Sequence, residues 1–338
     1  MELSSGHTSD SFLKCFFSVF SATPWLNPVR KLRAKGAIAV AEAHEPLSIG
    51  QCATLACILE VTAPKPGNVH RGADFDDVTY LDFVTGAAAI GPVMEAAATG
   101  QRLGPTVLAA VQATRQVVNT NTNLGTILLL APLAMVDRKL DWAAGIAHVL
   151  SFLDANDAKL VYEAIRLAQP SGLGEAPEAD VRGTAPTDLI HAMRLSAERD
   201  LVAKQYAGGF VEVLRNVVPC LADGVAAGWP LADAIVHAQM RMMSEFPDSL
   251  IARKRGTAVA EKSAQWANRV LEAGRPGDEA YHRALADFDF WLRSDGRGRN
   301  PGTTADMIAA SLFVALRDGI IEAPWSFYRQ TREGRPEA

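Results

Sequence analysis

The run Arg297-Gly298-Arg299-Asn300-Pro301-Gly302-Thr303-Thr304-Ala305-Asp306 sets two arginines, several turn-forming residues and two hydroxyls ahead of a strongly apolar stretch. If a helix starts there, its end presents unpaired N–H groups and a partial positive charge, which favour an anion. Far upstream, Pro64-Lys65-Pro66-Gly67-Asn68-Val69-His70-Arg71 forms a second punctuated loop, followed by Asp74, Asp76 and Asp77. Pro64 and Pro66 fix two φ angles around Lys65, and Gly67 lets backbone approach a ligand closely. Lys65, His70 and Arg71 offer cationic donors; Asp74, Asp76 and Asp77 offer hard oxygen ligands. Mg²⁺ takes one or two carboxylates plus substrate phosphate oxygens. Together the loops suit a polyphosphate and its metal ion. Taken singly, each also reads as a helix-capping loop or a solvated turn in which Arg71 pairs with a nearby aspartate.

Two further segments carry polar groups beyond what capping needs. Asn119-Thr120-Asn121-Thr122-Asn123-Leu124-Gly125 precedes a very apolar run. One Asn or Thr caps a helix. The surplus, Asn121 and Thr122 in particular, would be costly to bury unbonded and suits a ribose, a base edge or a phosphate. In Phe246-Pro247-Asp248-Ser249 through Arg253-Lys254-Arg255-Gly256, Asp248 or Ser249 can cap a helix, with a solvated basic face beyond. The functional reading places Asp248 on a metal or a nucleophilic hydroxyl, and Arg253 and Lys254 on phosphates. Asp200 and Lys204 read as an i,i+4 surface pair. The chain has no Gly-x-x-x-x-Gly-Lys-Ser/Thr loop, no Gly-x-Gly-x-x-Gly after a strand, no His-Glu-x-x-His and no Gly-x-Ser-x-Gly. Any nucleotide site is therefore of a less common design.

The elements that must hold these segments are helical. Straight-chain helix formers dominate and β-branched alternation is scarce. The periodicity predicts helices over 46–62, 78–99, 105–119, 124–136, 141–153, 156–168, 186–205, 207–227, 230–245, 249–273, 278–293 and 303–318. Glycine and proline supply the breaks. The loop 169–186 is long for a helical domain, as functional loops often are. The expected fold is all-α: a single large multi-helix domain, 46–320, with a polar cleft formed by interhelical loops. Residues 1–45 read as a loosely packed or disordered N-terminal extension, or as sequence translated from upstream of the true start, and 321–338 as a C-terminal tail.

Bulk properties narrow the partners. The net charge of -5 offers no field for nucleic acid or acidic membrane, so phosphate binding has to be local. Cys15, Cys52, Cys57 and Cys220 lack zinc-knuckle spacing and read as reduced thiols of a cytoplasmic protein. No uninterrupted apolar run is long enough to span a bilayer. The segment 12–22 has the length of a signal core, but Glu2 and Asp10 precede it with only Lys14 basic, which argues against export. A homo-oligomer is compatible with the sequence.

In order along the chain, these segments resemble the triphosphoribosyl-dephospho-CoA synthase family. The match is carried by Pro64-Lys65-Pro66-Gly67-Asn68, by Asn121-Thr122 with Gly125, and by Ala164-Ile165-Arg166 with Gly172-Leu173-Gly174 and Asp180-Val181. It continues with Glu198-Arg199-Asp200, Asp248 with Arg253-Lys254, and Arg299 to Asp306. It runs from about residue 50 to 320. The resemblance implies an all-α cytoplasmic enzyme that moves the triphosphoribosyl group of ATP onto the ribose of 3′-dephospho-CoA and releases adenine. The product is the precursor of the prosthetic group of citrate lyase and malonate decarboxylase carrier proteins. It implies ATP as substrate, Mg²⁺ as cofactor, and small molecules as the partners. Within that chemistry Asp76, Asp248 and Asp306 are expected to be catalytic. Asp74, Asp76, Asp77 and Asp248 are expected on metal. Lys65, Asn68, His70, Arg71, Asn121, Thr122, Arg253, Lys254, Arg299, Asn300, Thr303 and Thr304 are expected on nucleotide and phosphate.

The chain departs from the family's citrate-lyase pattern of Pro-Lys-Pro-Gly-Leu-Val-Asp and Asn-Thr-His-Lys/Arg-Gly. A basic residue is lost at 123–124 and a histidine gained at 70. In this it resembles a subgroup from archaea and methylotrophic bacteria. That likeness implies an ATP-dependent paralogue in one-carbon carrier cofactor synthesis (methanopterin or methanofuran type) as an alternative. A non-catalytic helical protein that binds a nucleotide or a carrier is the third reading; a binder has little use for Asp76, Asp248 and Asp306 together.

Overall fold

The structure, a computed structural model, describes residues 45–170 and 180–329. The expectations for 1–44, for Gly172-Leu173-Gly174 and for 330–338 lie outside the described residues. The described chain from Pro46 onward forms one compact unit. In order it contains α1 (Ile49–Thr62), α2 (Tyr80–Ala98), α3 (Leu103–Val117), α4 (Leu124–Ala134), α5 (Trp142–Ser151), α6 (Ala155–Ala168), α7 (Leu189–Ser196) and α8 (Leu201–Gly208). A π-helical turn (Glu212–Val217) then runs into α9 (Val218–Ala226), followed by α10 (Leu231–Glu245), α11 (Ser249–Arg255), α12 (Thr257–Glu272), α13 (Glu279–Arg293) and α14 (Gly302–Arg317). The fold is all-α, as the periodicity predicts; the described residues hold two isolated β-bridges, His70 to Ala73 and Phe75 to Val78.

Two helices are apolar all round and occupy the middle. In α4 every residue from Thr126 to Ala134 is buried, and in α14 every residue from Met307 to Arg317. The other helices wrap them: α14 packs against α1, α4, α8, α9, α10, α11 and the π turn. The main core includes Ile127, Leu130, Tyr206, Phe210, Met307, Leu312 and Phe313. A second cluster joins α10, α12 and α13 through Met240, Met243, Val270, Tyr281, Phe288 and Leu292.

Three predicted boundaries move, each for a local reason. The helix expected over 186–205 is α7 and α8, because Asp200 leaves the helical path and accepts from the N–H groups of Val202 and Ala203. Lys204 therefore pairs with Glu212, at 3.3 Å, rather than with Asp200. The helix expected over 249–273 breaks at Gly256, whose φ of 90° lies outside the helical range. The predicted helix over 207–227 starts with the π turn. Residues 321–329 pack onto the body instead of trailing from it: the N–H groups of Leu231 and Ala232 donate to the carbonyls of Ser326 and Phe327. By length and composition alone α2 could cross a membrane, although it carries Asp82, Pro92 and Glu95 and packs against α1, α3 and α4.

Candidate active site

The two Pro- and Gly-punctuated loops form one wall. Asn68 Nδ2 donates to Asn300 Oδ1 at 2.7 Å and to the Pro301 carbonyl at 3.3 Å. Gln239 Nε2 donates to Asn68 Oδ1 at 2.9 Å and to the Pro66 carbonyl at 3.1 Å. The N–H of Gly67 donates to Asp289 Oδ1 at 2.7 Å, from a left-handed backbone with φ of 73°. A Cβ on Gly67 would lie 2.8 Å from Leu292 and 2.9 Å from Pro301, so only glycine allows this approach.

Beside that wall opens a cleft of about 470 Å³. Cys57, Glu60 and Val61 of α1, Asn121 to Thr126 at the start of α4, and Gly302, Thr303, Ala305 and Asp306 of α14 line its inner side. Tyr162 and Ile165 of α6, Met193 of α7 and Val202 of α8 make an apolar side. Arg199, Asp200, Arg253, Lys254, Arg297 and Asp180 supply charge along the rest.

Two carboxyls mark the inner side. Asp306 Oδ1 accepts from Thr126 Oγ1 at 2.6 Å. Its other oxygen sits so close to α4 that a Cβ on Gly125 would fall 2.1 Å away. Asp306 opens onto the cleft, but protein encloses it elsewhere. Burial pushes its carboxyl up to about 8 against the opposing Thr126 hydroxyl, with Glu60 and then Asp248 adding to the rise. Glu60 is buried in the last turn of α1, and its Oε1 lies 2.7 Å from Lys65 Nζ. Burial raises the Glu60 carboxyl, and Lys65 opposes that rise.

Cations line the cleft as well. Arg253 pairs with Asp200, and Arg297 with Asp77. Lys254 Nζ donates to the Arg297 carbonyl at 3.3 Å; burial and then the Arg297 charge hold its ammonium below the usual lysine range. Arg199 donates to Ser196 Oγ at 3.4 Å. Asn121 Oδ1 accepts from Leu124 N, whereas the buried Thr122 hydroxyl has no partner. Thr303, on the cleft wall, bonds Ser249 Oγ at 3.0 Å.

The cleft thus brings together Asn68, Asn121, Thr122, Arg253, Lys254, Asn300, Thr303 and Asp306 of the expected set. Others are corrected by the partners they hold. Lys65, expected on phosphate, has no exposed surface and spends its ammonium on the Glu60 carboxylate and carbonyl. Asp248, expected on metal, is fully buried: one oxygen accepts from Leu250 and Ile251 N–H, the other from the Thr304 N–H and hydroxyl. Thr304 is consumed by the same contact. Arg299 donates to the Trp291 carbonyl at 2.8 Å and lies over the Trp291 ring at 4.3 Å, away from the cleft. Arg71 lies over the Tyr328 ring. His70 accepts from the Gly72 N–H, and burial lowers its imidazole to about 4. Asp74 accepts from the Tyr80 N–H at the start of α2, and Asp76 is exposed outside the cleft lining.

The expected metal set therefore does not assemble. Asp74, Asp76, Asp77 and Asp248 stand apart, and among the described residues no group of three or more His, Cys, Asp or Glu comes together to hold a metal ion. Arg199, Arg297, Tyr162 and Glu60 also line the cleft, and none of them is among the residues expected above on substrate, on metal or in catalysis. A signal for Glu60 does exist: it is the only charged residue of α1, five positions before a lysine flanked by prolines.

The model of the family described as ATP:dephospho-CoA triphosphoribosyl transferase matches residues 46–323. A protein of Pseudomonas syringae pv. tomato, assigned the name 2-(5''-triphosphoribosyl)-3'-dephosphocoenzyme-A synthase, is 32% identical over 33% of this chain and 38% of its own. One of the same name from Pseudomonas fluorescens (strain Pf0-1) is 26% identical over 54% of this chain and 61% of its own. The chain thus spans less than two thirds of the curated relatives it matches. A crystal structure from Archaeoglobus fulgidus, assigned as a triphosphoribosyl-dephospho-CoA synthase, superposes with a TM-score of 0.54 at 27% identity. It covers 69% of this chain and 98% of that one.

Proposed function

The chain belongs to the ATP:dephospho-CoA triphosphoribosyl transferase family, and on that premise we propose that its cleft transfers the triphosphoribosyl group of ATP to the ribose of 3′-dephospho-CoA and releases adenine. One observation carries the reading: a carboxyl held near 8 on the inner wall of a cleft whose rim carries four cations. Adenine leaves poorly as an anion, and its departure builds positive charge on the ribose C1′. Near neutral pH Asp306 keeps its proton and can pass it to a ring nitrogen of the departing base. Arg199, Arg253, Lys254 and Arg297 neutralise the triphosphate, which stays attached. Asn121 and Thr122 face the cleft with amide and hydroxyl for ribose or base.

Asp74, Asp76, Asp77 and Asp248, the carboxylates expected on Mg²⁺, lie outside the cleft lining, so the counter-charge on its wall is assigned to the four cations. A second reading keeps ATP and changes the acceptor. It is favoured by Asn123 and Leu124, which leave no basic side chain at the start of α4; Asn123 Nδ2 instead donates to Thr114 Oγ1.

Incubation with ATP, Mg²⁺ and dephospho-CoA, with adenine followed by chromatography, tests the assignment. Adenine release that requires dephospho-CoA is expected. ATP consumed to ADP or AMP without adenine would contradict it.

A further inference from the structure

We propose that Glu60 is the catalytic base of this transfer, positioned by the buried ammonium of Lys65 and matched by Asp306 as the acid. The inference rests on the reaction assigned above. It starts from a lysine that no ligand or solvent can reach. Lys65 is 0% exposed and its Nζ is engaged with Oε1 and the carbonyl of Glu60. A charge so buried is costly unless paired, and such pairs are often merely structural. This one differs in where its acid end emerges. Glu60 lies in the cleft lining with Asp306, and among the described residues nothing else bonds its carboxylate.

The charged and titratable groups facing Glu60 are Lys65 from the proline loop, Asp306 from α14 and the Cys57 thiol one turn earlier in α1. Burial raises both carboxyls; the Lys65 ammonium counters the rise at Glu60, and the Thr126 hydrogen bond counters it at Asp306. A carboxylate in a cleft wall needs a fixed counter-ion to hold its charge, and Lys65 supplies one at 2.7 Å.

The step balances. Glu60 takes the proton of the acceptor's ribose hydroxyl as that oxygen bonds C1′ of ATP. The C1′–N9 bond breaks, its electron pair leaves with adenine, and Asp306 gives its proton to the base. The proton on Glu60 then returns to Asp306 along the cleft's inner side, where Asp306 feels the Glu60 charge. In sum the hydroxyl proton leaves on adenine, and the triphosphate is untouched.

The test compares wild type, Glu60→Gln, and Glu60→Gln combined with Lys65→Met. The double variant removes both charges, so no ammonium is left stranded. It is expected to melt near wild type and to keep KM for ATP within about threefold. Its adenine release should stay down by at least about 100-fold, with the acid limb of the kcat/KM pH profile gone. A structural ion pair predicts the opposite, recovery in the double variant to within a few-fold of wild type, and that result overturns the role of Glu60 alone. Should the double variant not fold, Glu60→Asp decides: a base drawn back by one methylene loses about 10- to 100-fold in kcat at unchanged KM, and unchanged kcat overturns the proposal. A wild-type protein that releases no adenine overturns the transfer reaction itself, and the role of Glu60 with it.

Discussion

The hydroxyl of Thr126 donates to Asp306 Oδ1 at 2.6 Å, tying the first turn of α4 to the second turn of α14 across 180 residues of chain. The contact holds the cleft's acid in place without ionising it, since enclosure by two apolar helices outweighs the hydroxyl. Asp306→Asn should lower kcat by about 100-fold or more while leaving ATP affinity nearly unchanged, as measured by adenine release and calorimetry.

The same carboxyl fixes a sign for stability against pH. Its folded value, about 8, stands above the ordinary 3.8. Between these the folded state keeps a proton that the unfolded chain has released. The stability contributed is fully present below about pH 4 and is lost as pH rises through about 8. Wild-type Tm should therefore fall relative to Asp306→Asn between about pH 5 and about pH 9; parallel Tm curves would contradict the assignment.

Gly125→Ala should disturb this contact from the other side. Its Cβ would meet Asp306 Oδ2 at 2.1 Å and Cγ at 2.6 Å. Overpacking of that kind costs about 1–3 kcal/mol. Adding Asp306→Ala should restore Tm, measured by circular dichroism, but not adenine release.

Asp248 is predicted to act on stability rather than on metal. Asp248→Asn turns an amide NH₂ towards the donors of Leu250, Ile251 or Thr304, where the carboxylate accepted all four bonds. A loss of about 1–3 kcal/mol in urea unfolding is expected. The Mg²⁺ dependence of the residual activity should be unaltered; a raised Mg²⁺ requirement would return Asp248 to the metal.

Lys254 and Arg299 should behave oppositely. Lys254 lines the cleft, so Lys254→Met should weaken ATP binding about 10- to 100-fold, the worth of one charge-assisted contact, with little change in Tm. Arg299 is engaged with Trp291 and, at 3.7 Å, with Asp295. Arg299→Ala should cost about 1–2 kcal/mol of stability and leave ATP affinity intact.

What the sequence makes legible here is local. Apolar runs such as Leu124–Ala134 and breakers such as Pro64, Pro66 and Gly256 carry their structural meaning within a few residues. The two glycine- and proline-marked loops could therefore be matched before anything showed that Asn68 reaches Asn300. What is not legible is which polar groups the fold consumes. Lys65, Asp248 and Arg299 have the types a triphosphate site needs, yet each is taken by a partner: Glu60, Thr304 and Trp291. For Asp248 and Thr304 that partner is 56 residues away. Glu60 is hard to read for the converse reason. A single glutamate on a helix reads as solvated surface until its helix is known to be buried.

The most direct test of the transfer reaction follows the phosphates. With γ-labelled ATP and dephospho-CoA, mass spectrometry and label recovery should show one adenine released per molecule of a product that keeps all three phosphates and the ribose. Label appearing in free phosphate, pyrophosphate, ADP or an acceptor lacking the added ribose would contradict it.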